Sequence, residues 1–422
     1  MSGNILRLHT AETALSMLGG SPLDAPAVSQ GNVDVLVSCR IEDVEMAWRL
    51  LTARSIESPG QSYDFIRLWV ADRKVPESEQ RYVVGSVDGH PVALLPLHRK
   101  RVYGLPLYTW FPGANAGCYA PVADYDRLAA LGPAGRKALW AAMAGKLGGA
   151  DLIYLRSIPR EVGGHVGLFD ELGASLAVET LYRSEYASWQ ECDRLQRSKS
   201  RRKHDRQQGE RLEAMGAVLF SELRNGDDTD CAVEIMFRQR TARFRAMGIR
   251  DAFVEDRLID FYHAAARPGS GIDVRLHVLR LNGNIVAVRY NIVHNDRMFC
   301  LISSMSDDPA IQNGSPGKQC LLRVMQSVFD QGIRVFDMGS GFTDEKRHWC
   351  NAQIPMGQHY VGLTPQGALI VRAHQRFQRA RASIKANPQL KAAARQIQHL
   401  IDRVKGGRAQ ATVPAGEKSD QL

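Results

Sequence analysis

The stretch NGSPGKQCLLRVMQSVFDQGIRVFDMGSG, Asn313 to Gly341, decides how this chain is read. A Gly/Ser/Pro turn feeds a segment whose Cys320, Leu321, Val324, Met325, Val328 and Phe329 recur at helical spacing, giving a helix with one apolar face. Ile333–Met338 follows as a short β-branched and aromatic strand and ends in a Gly-Ser-Gly turn. The turn Gly314–Lys318 would present free backbone N–H groups at a helix N-terminus, where the dipole favours an anion, and Lys318 adds a charge. The pattern predicts a phosphate cradle, against the plain alternative of a helix start signal without a ligand.

Working outward, 422 residues accommodate two domains of ordinary size, and 44% hydrophobic with 23% charged residues describes a globular chain with a sizeable core. No run approaches the ~20 apolar residues of a membrane span. The N-terminus has no basic region followed by an apolar stretch and cleavage site, so no secretory signal is expected. Seven cysteines, an odd number without Cys-x-x-Cys or Cys/His ligand spacing, argue against a disulfide framework and a structural zinc. We expect reduced thiols, a cytoplasmic location and no metal. The formal charge of +9 implies attraction to a polyanion: a phosphorylated cofactor, a nucleotide-linked sugar, RNA or an anionic lipid surface. Arg194–Arg206 carries seven Lys/Arg and Arg372–Arg408 carries ten, although charge runs are more often solvated helix faces.

In chain order, residues 1–30 lack any period and are expected to be flexible. Domain 31–190 would open with strand Val33–Arg40 and helices Ile41–Ala53 and Ser62–Ala71. A hairpin over Arg81–Val87 and Pro91–His98 follows, turning at Asp88-Gly89. Tyr103–Tyr125 reads as a loop rich in Gly, Pro and aromatics, before helix Arg136–Leu147 and strand Leu152–Arg156. A basic linker helix over 191–213 leads to domain 214–371, which repeats the order. Its elements are strand Val218–Leu223, helices Asp230–Met247 and Glu255–Ala266, the hairpin Val274–Leu281 with Ile285–His294, and strand Met298–Ser304. After the central stretch comes a strand pair around Tyr360–Leu363 and Ala368–Val371, and then a basic helical tail, 372–422. The repetition shows in letters: VVGSVDGHPVA (83–93) aligns with HVLRLNGNIVA (277–287), and GPAGRKALWAAM (132–143) with GSPGKQCLLRVM (314–325).

ALLPL (93–97), SYDFIRLWV (62–70), NGSPGKQCL (313–321) and FDMGSGFTDEKRHW (336–349) resemble the CelD-type, BioF2-like group of GNAT acetyltransferases. That group is associated with cellulose and other exopolysaccharide biosynthesis and is distantly similar to the Fem-type tandem GNAT aminoacyltransferases. The resemblance covers roughly residues 35–365. It implies an α/β fold of two tandem GNAT-like domains, each a mainly antiparallel mixed sheet with flanking helices, the first degenerate and on the acceptor side. It further implies that acetyl-CoA or another acyl-CoA lies between two splayed strands of the second domain, Met298–Ser304 and Ile333–Met338. Ser304, Gly314, Ser315, Gly317 and Lys318 would then be cofactor-binding. Lys346 resembles a lysine that in the Fem-type relatives contacts substrate phosphate.

Direct acyl transfer needs orientation, a base and oxyanion stabilisation, and no nucleophile. Asp337, between Phe336 and Met338, is the candidate base, unless it pairs with Lys346, Arg347 or a turn N–H. Tyr290 and Arg289 alternate on one strand, so at most one faces the cleft; Tyr290 is taken as catalytic and Arg289 as substrate-binding. His294, His348 and Trp349 are further lining candidates. Cys320 and Cys350 are the candidate nucleophiles for a covalent route, against the plainer reading of core cysteines. Trp110, Asn115, Tyr119 and Tyr125 form the expected acceptor site, because aromatic rings stack on sugar faces. The expected function is an acyl-CoA-dependent N- or O-acyltransferase acting on a sugar or polysaccharide precursor. The rivals are a Fem-like transferase using aminoacyl-tRNA, although a nucleic-acid partner is not the favoured reading, and a non-catalytic accessory protein of a polysaccharide synthase. Through the basic tail the protein could touch the inner membrane.

Overall fold

The computed structural model describes residues 32–112, 117–224, 227–248 and 251–386. Segment 1–30, Asn115 and the basic tail beyond residue 386 lie outside the described residues.

The first half starts with β1 (Val33–Ser38), α1 (Glu45–Thr52) and α2 (Tyr63–Asp72), whose N-terminus is capped by Ser62 accepting the Phe65 N–H. The hairpin β2 (Gln80–Val87) and β3 (His90–Val102) turns at Asp88-Gly89, both at positive φ. It leads to β4 (Leu105–Thr109), β5 (Val122–Ala123), α3 (Tyr125–Ala130), α4 (Gly132–Gly145) and β6 (Leu152–Pro159). A small hairpin, β7 (Glu161–Val162) and β8 (His165–Val166), precedes the long β9 (Ala174–Glu185). The basic segment forms two helices, α5 (Trp189–Gln196) and α6 (Lys199–Glu213), because Ser198 caps a fresh start.

The second half repeats the order with β10 (Val218–Leu223), α7 (Asp227–Ala246), α8 (Ala252–Glu255), α9 (Ile259–Ala266), β11 (Asp273–Leu281) and β12 (Asn284–His294). It ends with β13 (Arg297–Met305), α10 (Pro309–Gln312), α11 (Pro316–Asp330), β14 (Val335–Ser340), α12 (Asp344–Trp349), β15 (Ala352–Gly362) and α13 (Pro365–Ala386). The anticipated strand over Ala368–Val371 is a turn of α13 instead, since Pro365 and the Thr364 hydroxyl, which accepts the Gly367 N–H, start a helix there.

Both halves share one mainly antiparallel sheet, in the order β1-β2-β3-β4-β6-β15-β9-β14-β13-β12-β11-β10, with β5 beside β3. Each half contributes four antiparallel strands and then a fifth, reached through helices, that pairs in parallel: β6 beside β4 and β14 beside β13. The sixth strands are exchanged. β9 of the first half pairs with β14 of the second, β15 of the second pairs with β6 of the first, and β9 and β15 pair with each other.

The core follows the same logic. The apolar face of α11 packs with β11–β14 and Tyr182 of β9. The other large cluster mixes both halves: Phe65 and Trp69 of α2 meet Phe261 of α9 edge-on, at ring-centroid distances of 5.0 and 5.1 Å. At the junction lies a buried ion network. Arg183 of β9 donates to Glu57 Oε2 at 2.7 Å and Asp337 Oδ2 at 2.8 Å, and Arg297 donates to Glu57 at 2.7 Å.

Candidate functional site

Parallel pairing of β13 with β14 stops after Phe299 and Asp337. β13 then continues against β12 alone as far as Met305, while β14 turns towards β9, so the two strands fork. Asp337 holds the fork point. Its Oδ2 takes the Arg183 Nε–H and its Oδ1 takes the Gly339 N–H at 2.8 Å, fixing a glycine at φ +74 that bends the chain away.

The N-terminus of α11 lies beside the end of β13, where a Cβ on Gly317 would come within 2.8 Å of Met305 Sδ. Gly314 and Ser315 give their N–H groups to Ile311 and Gln312 carbonyls, and Pro316 has none. Only the N–H groups of Gly317 and Lys318 remain without a helical carbonyl to reach, so the cradle is narrower than the whole turn. Gly314 serves packing: a Cβ there would lie 2.4 Å from Leu212 Cγ. Ser315 adopts a left-handed conformation at φ +48, and its Oγ accepts from Gln208 of α6. A cleft of about 420 Å3 opens here, lined among others by Arg243, Arg289, Ser304, Gly317, Lys318 and Glu345. Arg243 on α7 and Glu345 on α12 were not anticipated: a basic helical run and an acidic first turn carry no signal of what they face.

Arg289 is buried, and its guanidinium donates to Glu345 Oε2 at 3.1 Å and to the Gly317 carbonyl at 3.4 Å, while its buried Nε has no partner. Burial opposes its charge, but the Glu345 carboxylate keeps it firmly protonated. Lys318 is exposed at the cleft, and nearby His348 has its pKa lowered by burial first and then by the Arg201, Arg347 and Lys318 charges, against the opposing Asp344. Ser304 lies on the open strand with its hydroxyl donated to Gln239 of α7.

Other sequence candidates lie elsewhere. Tyr290 is fully buried and gives its hydroxyl proton to the Tyr262 carbonyl, so it does not reach the cleft. Asp337 is paired, with Arg183 and the Gly339 N–H taking its oxygens. Lys346 donates to the carbonyls of Gly339 and Ser340 and sits over the Tyr182 ring, where burial pulls its ammonium below the usual lysine range. Trp349 is core, tilted against Trp189. His294 reaches the Thr52 carbonyl. Cys320 and Cys350 are buried thiols, each pushed up to about 12 by burial, which removes thiolate character.

The aromatic segment of the first half has a different task from the expected sugar platform. β4 and β6 pair in parallel only at Leu107–Tyr108 and then also part. There the Trp110 indole N–H donates to the Arg156 carbonyl at 3.0 Å and the Tyr119 N–H to the Ser157 carbonyl at 2.9 Å, with Trp110, Phe111 and Tyr119 all buried. Tyr125 is likewise core. Arg136, which aligns with Lys318, is held by both oxygens of Glu171 at 2.8 and 2.9 Å. Beside the second fork a cleft carries Arg243, Arg289 and Lys318 with Asp344 and Glu345; the equivalent fork of the first half is filled and Arg136 is paired.

Residues 199–347 match the family model described as an acetyltransferase (GNAT) domain, a span that runs from α6 to α12 and encloses the open fork. No curated protein matches the chain. Among solved structures it is similar to FemX, with 12% identity over 80% of this chain and 99% of that one and a TM-score of 0.50, a likeness of fold alone. It is also similar to L-PGS from Bacillus licheniformis, at 15% identity over 79% and 97% of the two chains with a TM-score of 0.47. A tandem GNAT protein from the clavulanic acid biosynthesis pathway matches at 10% identity over 79% and 99%, with a TM-score of 0.39.

Proposed function

We propose that this protein is an acyltransferase that takes an acyl group from acyl-CoA, with acetyl-CoA the simplest donor, and passes it directly to an amine or hydroxyl. The observation that carries the reading is the contrast between the two halves: a cleft beside β13 at the N-terminus of α11, lined by Arg243, Arg289 and Lys318, and a plugged fork in the first half. The donor set fits a diphosphate. The N–H groups of Gly317 and Lys318 lie at the positive end of a helix dipole, and Lys318 and Arg243 add charge. The unpaired edge of β13 beyond Phe299 offers backbone groups to an extended ligand arm. In the transfer the thioester C–S bond breaks, a C–N or C–O bond forms, and the acceptor proton passes to the departing thiolate. The fold contributes orientation and backbone donors. The first half would be a degenerate partner shaping the acceptor side. A sugar or polysaccharide-precursor acceptor rests on the resemblance of the motifs, since the stacking platform is core.

A second reading keeps the fold and changes the donor to an aminoacyl-tRNA. The basic surface of α6, which packs against the α11 N-terminus through Gln208 and Gln319, favours it. A thermal-shift titration with CoA, acetyl-CoA and AMP separates the two. A rise specific to CoA supports the first, since binding to the folded state raises the midpoint by mass action. A flat response at millimolar CoA together with salt-sensitive tRNA binding would replace it by the second. Lys318→Ala is expected to weaken CoA binding about tenfold with an unchanged melting temperature, as for loss of a charge-assisted contact; equal affinity would remove Lys318 from the site.

A further inference from the structure

A buried arginine beside a helix N-terminus, facing a cleft with no carboxylate of its own strand to neutralise it, invites an anion. In this protein the anion comes from the chain itself. Glu345 extends from the first turn of α12 and places both oxygens on one Arg289 nitrogen, at 3.1 and 3.3 Å. The two residues differ sharply in setting: Arg289 is 4% exposed, whereas the Glu345 side chain is 33% exposed. Arg289 is fixed within β12, and its remaining contacts are weak ones, the Gly317 carbonyl at 3.4 Å and Cys300 Sγ at 3.9 Å, with Nε unpartnered. The glutamate is the member that can leave.

The segment bearing Glu345 borders the cleft. It follows β14 after Gly341, at φ +82, where an added Cβ would meet nothing, and Phe342, which is 63% exposed. After Glu345, α12 is anchored by Lys346, which donates to the Gly339 and Ser340 carbonyls, and by buried Trp349. Ahead of those anchors, Thr343, Asp344 and Glu345 form one wall of the cleft.

We propose that Arg289 is an anion-recognition position of the cleft, that the Glu345 carboxylate occupies it in the unliganded protein, and that the diphosphate of the ligand displaces Glu345 from it. The inference rests on the acyl-CoA reading only for the name of the ligand; the recognised group is a phosphoryl oxyanion, whichever molecule carries it. Exchange of one oxyanion for another leaves the buried guanidinium paired throughout, so entry of the ligand never exposes an uncompensated buried charge. It also makes the cleft selective. A neutral ligand cannot take the place of the carboxylate, and a singly charged one gains little over it. A diphosphate, with more charge and more acceptor oxygens, does gain.

The test measures the affinity of inorganic pyrophosphate and of CoA for the full-length protein and three variants. Glu345→Gln keeps an oxygen for Arg289 but removes the competing charge, and is expected to bind pyrophosphate and CoA about tenfold more tightly. Glu210→Gln on α6 removes one negative charge away from Arg289 and is expected to change affinity less than about twofold. The double variant Arg289→Met with Glu345→Met removes both charges without leaving either one buried alone, and is expected to lose the gain. Equal or weaker pyrophosphate binding by a folded Glu345→Gln, or no pyrophosphate binding by any variant, overturns the inference. So does a double variant that binds as tightly as Glu345→Gln. If pyrophosphate binding follows the expected order while CoA binds no better than pyrophosphate, the acyl-CoA reading fails and the role of Arg289 stands. If the unaltered protein binds CoA but Glu345→Gln changes neither affinity, the acyl-CoA reading stands and the exchange at Arg289 is overturned.

Discussion

Glu57 has no exposed surface, yet it accepts from Arg183, Arg297 and the Gly163 N–H. Burial alone would push its carboxyl upwards, but the Arg183 and Arg297 guanidiniums outweigh that and hold it below the usual carboxylate range. Glu57→Gln leaves two arginines short of a charge, and we expect a loss of about 3–5 kcal/mol at neutral pH, read by urea unfolding. The folded-state pKa is the lower one, so this stabilisation is present above the ordinary value of 4.5 and disappears as pH falls through the depressed value. The gap between the parent and Glu57→Gln should therefore close in acid; a gap independent of pH would mean that the charges do not carry the effect. At this scale the sequence was least informative. Asp337 stood out as a carboxylate between Phe336 and Met338, and pairing was one of its two readings, yet its partner Arg183 lies 154 positions away. Strand periodicity reports that a side chain points inwards; it is silent about which charge waits there. The Gly-turn and Lys318 were visible because a helix start is a local event, whereas Arg243 and Glu345 reach the cleft only through packing.

Elements were more legible. The hairpins at Asp88-Gly89 and Asn282-Gly283, the apolar face of α11 and the repeat of one order in both halves follow from period and turn chemistry. β9 escaped because its first residues alternate poorly and are mostly exposed, and β4 because Pro106 and the aromatic run around it read as loop. The aromatic segment shows how composition misleads: large rings suit a sugar face and a core equally well. Trp110→Ala should cost about 3–5 kcal/mol of stability, as expected for emptying a packed site, and leave CoA affinity unchanged. A stable variant with altered acceptor use would restore the segment to the active site. Gly314→Ala pushes a methyl against Leu212 of α6, so we expect a lower melting temperature corresponding to about 1–3 kcal/mol of overpacking. An unchanged melting temperature would show that α6 yields freely.

For the whole molecule, the exchange of β9 and β15 makes the halves inseparable. Separately produced segments 32–187 and 188–386 would each lack the strand that borders their fifth strand, and we expect neither to show a cooperative melt by circular dichroism. Two independently melting fragments would show that the exchange is dispensable. No period or motif announces such an exchange, because the sequence of a strand does not name the strand it pairs with. Its further consequence lies in synthesis. While the chain is still on the ribosome, β6 waits with one open edge until Ala352–Gly362 emerges, a delay of roughly 10–40 s at about 5–20 residues per second. For that interval the nascent first half is a template for any passing strand, and faithful assembly depends on keeping that edge covered until its own distant partner arrives.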